Sequence, residues 1–136
     1  MKPKYMLDTN ICIYLMKHQP PEVAARFEEC FVGDVVISVI TMAELEYGIV
    51  CSGANLAMNR QKLNSFVEDV PVTPFDVVAA HTYALVRVAH KARTKDALDK
   101  LIAAHAIALG ATLVTNNEAD FVGFSGLMVE NWVRSH

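Results

Sequence analysis

Cysteine is scarce in this chain and poorly spaced for metal or disulfide work. The three present, Cys12, Cys30 and Cys51, make an odd number, form no Cys-x-x-Cys pair, and each sit in an apolar or helix-like stretch. They read as small buried hydrophobes in a reducing cytoplasm, against a zinc site or a secreted disulfide framework. No eighteen apolar residues run together, so no segment reads as a membrane-spanning helix. The opening MKPKYMLDTN carries lysines, but Asp8 and Asn10 cut its apolar run short, and it does not read as a signal peptide. No glycine-rich loop follows any candidate strand, which argues against a nucleotide-binding phosphate cradle. Internal repeats, low-complexity tracts and linkers are missing too.

What is there is apolar enough to fold. The chain has 136 residues, 53% hydrophobic and 20% charged, the size of one domain. A domain of this length buries roughly 68% of its unfolded surface and needs no disulfide or structural metal. Twelve basic residues against fifteen acidic give a net charge of -3, which by itself argues against a polyanionic partner. Two bound divalent cations would carry the sum to about +1, so the acidic excess equally fits a metal site.

The patterning alternates strands and helices. Lys4 to Leu7 reads as a short buried strand, followed by Asp8-Thr9-Asn10 as helix N-cap candidates. A helix over 11–17 is broken by Pro20-Pro21, and another runs over 22–31. Val35 to Val39 is β-branched and apolar on both faces, the mark of an interior parallel strand. Thr41-Met42-Ala43-Glu44 has capping-box spacing and opens a helix to about Val50. Residues 55–68 form a polar-rich helix candidate, and Val70-Pro71-Val72-Thr73 a short strand that proline pushes to a sheet edge. Asp76 caps a helix in which Val78, Leu85, Val86 and Ala89 share a stripe. The next helix starts near Asp96, places Leu98, Ile102, Ala106 and Leu109 toward a core, and stops at Gly110. Ala111 to Val114 is a fourth strand, 115–120 a polar loop, and 127–129 a last strand. The alternation predicts an α/β fold, a central, mainly parallel sheet of four to five strands with helices on both faces. Ligands in such sheets bind beyond the carboxyl ends of the strands.

Acids collect at those ends. Asp8 follows the first strand and Glu44 the second; Asn116, Asn117 and Asp120 follow the fourth, and the helix before it carries Asp96 and Asp99. Converging carboxylates repel one another and lose solvation unless cations sit among them. Mg²⁺ or Mn²⁺ suits a site of Asp, Glu and Asn oxygens with no cysteine and no required histidine. Each acid also has a structural reading: Asp8, Asp96 and Asp120 as caps, Glu44 in a capping box with Thr41, Asp99 as compensation of a helix dipole. Position favours the joint reading, because caps scatter over both ends of a sheet and these acids all follow carboxyl ends.

The segments MLDTNICIYLM, VISVITMAELEYG, LDKLIAAHAIALGATLVTNNEADF and GLMVENW resemble the PIN-domain ribonucleases, specifically the VapC toxins of bacterial toxin–antitoxin pairs. The likeness covers nearly the whole chain, as four separated motifs in the family's order, and it implies the PIN-like three-layer α/β/α fold in one domain, 1–136. Asp8 matches the first acid, Glu44 the second, Asp99 the third, ahead of the IAAHA stretch, and Asp120 the acid before Phe121; Asn117 stands at a neighbouring position that is often acidic. The resemblance implies a Mg²⁺-dependent cytoplasmic endoribonuclease acting on structured RNA, with the initiator tRNA anticodon loop as target. It also implies a homodimer, neutralised by a VapB-type antitoxin through which alone it meets DNA. The family's usual Gly-Pro turn before the third acid is replaced here by Thr94-Lys95-Asp96-Ala97-Leu98-Asp99, so Asp96 stands as a second candidate beside Asp99.

On this reading Asp8, Glu44 and Asp99 hold a first ion that activates water for in-line attack, and Asp120 with Asn117 orients a second ion or the water. Thr9 and Thr115 either hydrogen-bond these carboxylates or cap the backbone. Arg87, Lys91, Arg93, Lys95 and Lys100 cluster ahead of and beside Asp99 and form a candidate phosphate track, or else a solvated helix face. His81, His90 and His105 read as packed or solvent-facing, and the early helices as the place for an apolar antitoxin segment. Two rivals remain. A haloacid-dehalogenase-type phosphatase needs a second acid where Asn10 stands, and a PIN-like module that binds without cutting would not need Asp8, Glu44 and Asp99 intact.

Overall fold

The structure, a computed structural model, describes residues 2–91 and 97–133. The chain runs β1 (Tyr5–Leu7), α1 (Thr9–Lys17), α2 (Pro21–Glu28), β2 (Val35–Ser38), α3 (Val39–Val50), α4 (Leu56–Asp69), β3 (Val72–Thr73), α5 (Val77–Ala89), α6 (Ala97–Leu109), β4 (Thr112–Val114) and β5 (Val129–Glu130). Single 3₁₀ turns at Gly53–Asn55 and Glu118–Phe121 precede α4 and follow β4. The five strands form one sheet in the order β3-β2-β1-β4-β5. Every pairing is parallel, with Met6 beside Val36 on one side and Leu113 on the other.

Alternation along the strands feeds two apolar layers. Leu7, Val35, Ile37 and Val114 face a core shared with Ile11, Leu15, Val23, Leu45, Leu63 and Trp132. Met6, Val36 and Leu113 face the opposite core, with Val86, Ile102, Phe121 and Phe124. Helices therefore cover both sides, as the β-branched runs predict. The chain winds from β1 outward to β2 and β3, then returns to the other flank for β4 and β5. The carboxyl ends of β1 and β4 thus flank the point where strand order reverses, the place where open α/β sheets bind ligands. Among the described residues no helix is long and apolar enough to cross a membrane.

Local chemistry explains the element ends. Gly110 adopts a left-handed φ of +70°, and its amide and that of Ala111 bond back to Ile107 and Ala106, closing α6 as a C-cap glycine should. The edge strand β3 starts just after Pro71, which offers its carbonyl to the Ile37 amide at 3.0 Å.

Three local expectations change. Ser38, the last residue of β2, caps α3 by accepting from the Ile40 amide at 3.0 Å; Thr41 is a buried helix residue whose hydroxyl has no hydrogen-bond partner among the described residues. The capping box of Thr41 and Glu44 therefore does not form, because the strand passes directly into the helix three residues earlier. On α5 the inward residues are Ala79 and Val86, while Val78 and Leu85 are each 61% exposed and Val88 64%. The larger apolar stripe of this helix faces out. On α6 burial is continuous from Ile102 to Ala106, whereas Leu98 is half exposed beyond the packed stretch.

Candidate active site

Asp8 leaves β1 and becomes the N-cap of α1, its Oδ1 accepting from the Ile11 amide at 3.0 Å. It is only 6% exposed. Burial pushes its carboxyl above the usual 3.8, and the nearby charge of Glu44 adds to the rise; the Thr115 hydroxyl and the Ile11 and Asn10 amides oppose it. The Cys12 thiol is pushed well up by burial and by the charges of Asp8 and Glu44, which makes it inert. Cys12 is fully buried as expected, but Cys30 is half-buried and Cys51 exposed.

Two threonines tie the acids down. Thr9, in the first turn of α1, donates to Glu44 Oε1 at 2.7 Å across 35 residues of sequence. Thr115, fully buried just beyond β4, bonds Asp8 through its hydroxyl and accepts the Asn117 amide at 3.0 Å. Free of a capping box, the Glu44 carboxylate reaches across from α3 to α1. Asp8, Thr9, Glu44, Thr115 and Asn117 thus make one connected polar unit at the reversal point.

Asp99 lies half-buried in the first turn of α6, and Asp120 is exposed in the 3₁₀ turn after β4. Because α6 runs back toward the start of β4, its first turn is at the carboxyl-end rim, and both acids share that rim with Asp8. Among the described residues no group of three or more acidic, histidine or cysteine side chains is placed to hold a metal ion, so the structure brings Glu44 near Asp8 but does not gather Asp8, Glu44 and Asp99 into one ligand set. Asp96, Arg93 and Lys95 lie outside the described residues. Arg87 and Lys91 are exposed at the end of α5. Lys100 is only 6% exposed, so it is not part of an open phosphate track.

Sequence reasoning missed several polar links. His105 is buried, with Nδ1 2.8 Å from Ser38 Oγ and a hydrogen bond to the Pro74 carbonyl. Burial holds its imidazole below the usual 6.5, against the opposing charge of Asp76 and the Pro74 bond. Arg26 of α2 pairs with Glu130 of β5 and lies over the Trp132 ring, whose Nε1 donates to Glu130 Oε1 at 3.0 Å. A serine closing an otherwise apolar strand was the available signal for the α3 cap. Nothing local marks the other links, whose partners are remote in sequence.

Beside this unit runs an apolar groove. A cleft of 570 Å³ lies among α1, α2 and α4, lined by Leu15, Met16, Phe27, Met58 and Phe66. A second of 300 Å³ has Glu44 in its wall, and Met16 and Lys62 line both.

The PIN domain family matches residues 5–124. Over 134 residues the chain is 37% identical to the tRNA(fMet)-specific endonuclease VapC of Shigella flexneri, covering 95% of this chain and 98% of that protein. The chain belongs to the VapC family of PIN-domain ribonucleases. Ribonuclease VapC2 of Rickettsia felis is also 37% identical, over 94% of this chain and 97% of its own. Among solved structures, VapBC from Salmonella typhimurium bound to DNA superposes with a TM-score of 0.87 at 34% identity, covering 96% of this chain and 98% of that one. VapBC2 from Rickettsia felis, bound to a DNA fragment from its promoter, gives 0.84 at 36%, covering 94% and 98%. The five-stranded parallel sheet with helices on both faces is thus the VapC fold, with Asp8 at the end of β1 and Glu44 in the second turn of α3.

Proposed function

We propose that this VapC-family chain is the toxin of a toxin–antitoxin pair, an endoribonuclease that hydrolyses phosphodiester bonds in structured RNA and so arrests translation in the cytoplasm. The initiator tRNA anticodon loop is the proposed target, in line with the relative named for tRNA(fMet). The observation that carries the reading is the buried Asp8 carboxylate, bonded by the Thr115 hydroxyl, with the charge of Glu44 nearby and Glu44 itself bonded by Thr9. A buried carboxylate beside a second, half-buried one is disfavoured as a bare anion and stabilised by a cation.

The donor set fits Mg²⁺ or Mn²⁺: it is all oxygen, and Asp8 as a bare anion is penalised by burial and by its neighbour, a penalty that a hard divalent ion removes. Asp8, Glu44 and Asp99 would hold the ion, with Asp120 and Asn117 serving a second ion or the attacking water. When bound, the metal supplies Lewis acidity and a lowered water pKa. The residues do the rest. Thr9 and Thr115 fix the carboxylate rotamers, and the Ile11 amide holds Asp8 Oδ1. Arg87 and Lys91 meet RNA phosphates near the rim.

Partners follow from the surfaces. The groove from α2 to Glu44 suits an apolar segment of a VapB-type antitoxin, which would shield the site. The outward stripe Val78, Leu85 and Val88 on α5 suits a second copy of the chain in a homodimer. DNA is met through the antitoxin.

The test is expression of the parent and of Asp8→Asn, a change that keeps an N-cap residue and removes the charge. Growth arrest by the parent alone, with one RNA cut at one place to give a 5′-phosphate and EDTA stopping the cut in vitro, is the expected result. Equal toxicity from both, or a 2′,3′-cyclic phosphate end, would refute it.

A further inference from the structure

A polar seam crosses the carboxyl-end rim one residue beyond Thr115, outside the carboxylate unit. Asn116 is exposed, and its Nδ2 lies 3.4 Å from the Tyr14 hydroxyl of α1. Its Oδ1 lies 3.4 Å from Nδ2 of Asn131, just past β5. Both of those neighbours are fixed. The Tyr14 ring packs on the apolar layer beneath α1, and Asn131 is nearly buried with its Oδ1 accepting the Val133 amide at 2.9 Å.

The amide of Asn116 is therefore oriented on both edges, yet by contacts at the long limit of hydrogen bonding. A carboxamide has two N–H donors and a carbonyl oxygen with two lone pairs. One of each is used here, so one donor and one acceptor of this exposed side chain remain for a ligand. That is the pattern that pairs bidentately with a base edge, best known for adenine, where N6–H donates and N7 accepts. RNA is read mainly in single strands and loops, whose unstacked bases expose such edges.

We propose that Asn116, held by Tyr14 and Asn131, reads one unstacked base, adenine by preference, next to the phosphodiester that the Asp8 centre cuts. The proposal rests on the nuclease reading and adds to it a specificity-determining residue. Its location supports this: Thr115, one position earlier, bonds Asp8, so a strand with its phosphate at Asp8 has a flanking nucleotide beside Asn116. Tyr14→Phe would remove one of the two orienting contacts while leaving the ring in place.

The experiment uses hairpin RNAs in which each loop position is randomised, incubated with Mg²⁺ and the full-length parent, Asn116→Ala or Tyr14→Phe, with the cut ends sequenced. The parent is expected to favour adenine at one position flanking the cut. Asn116→Ala should lower that preference about tenfold or more, chiefly through KM, and Tyr14→Phe should lower it less. A residue with only a structural role would change melting temperature and total rate but leave the base preference alone. Parental cleavage without base discrimination at any flanking position, or the same discrimination in Asn116→Ala, would overturn the assignment and spare the nuclease reading. No cleavage by the parent would overturn both.

Discussion

Replacing Thr9 by valine removes one hydroxyl and almost no volume, and with it the 2.7 Å bond that ties Glu44 to the start of α1. A hydrogen bond to a charged group is worth about 1.5–3 kcal/mol net. Independently, losing a partner that orients a metal ligand costs roughly 10–100-fold in metal affinity, which is about 1.4–2.8 kcal/mol at 1.4 kcal/mol per tenfold. The two ranges agree. Glu44 is only half-buried, so water replaces part of what the hydroxyl gave, and the low end, about tenfold, is expected. Calorimetric titration with Mn²⁺ reads the affinity directly, and RNA cleavage measured against Mg²⁺ concentration should shift by the same factor and recover at high metal. Thr9→Ser restores the donor and should restore both. Unchanged metal affinity in Thr9→Val would refute the idea that this bond orients a ligand.

Three further outcomes are expected. Leu85→Glu with Val88→Glu puts charge on the outward stripe of α5 without touching the core, and sedimentation should show a dimer turned monomer at an unchanged melting temperature. His105, held below the usual 6.5, gives stability that is whole above that pH and drains away as pH falls toward its folded value; His105→Gln should flatten the dependence of urea midpoint on pH between about 7.5 and 5. Asp8, held above its usual 3.8, penalises the fold wherever it is ionised, so the penalty is absent below that pH and grows as pH rises through the folded value. At pH 7 in EDTA, Asp8→Asn should therefore melt higher than the parent, and Mn²⁺ should raise the melting temperature of the parent alone.

The sheet was legible because its strands speak locally. Val35-Val36-Ile37 is apolar on both faces, which only an interior strand tolerates, and Gly110, one residue past Leu109, marks the end of α6. The acids were legible as a set because they follow strands. The α5 stripe was misread for a physical reason: periodicity shows that a helix has an apolar side, but not whether that side meets its own core or another molecule. Lys100 was read as exposed for a similar reason, since a lysine on a helix is usually solvated and its neighbours in sequence do not reveal its burial. The false capping box shows that Thr-x-x-Glu also arises when the threonine is core and the glutamate reaches elsewhere.

By itself the sequence determined the order of the elements, the parallel sheet and the kind of side chain at each strand end, because helix and strand periodicity, caps and breakers act over a few residues. Only the tertiary structure decided that Thr9 grips Glu44, that Thr115 grips Asp8, that His105 props Ser38 and that Asn116 stands between Tyr14 and Asn131. Those bonds join residues far apart in the chain. Their geometry follows from strand order and helix packing, which set distances that no local pattern encodes.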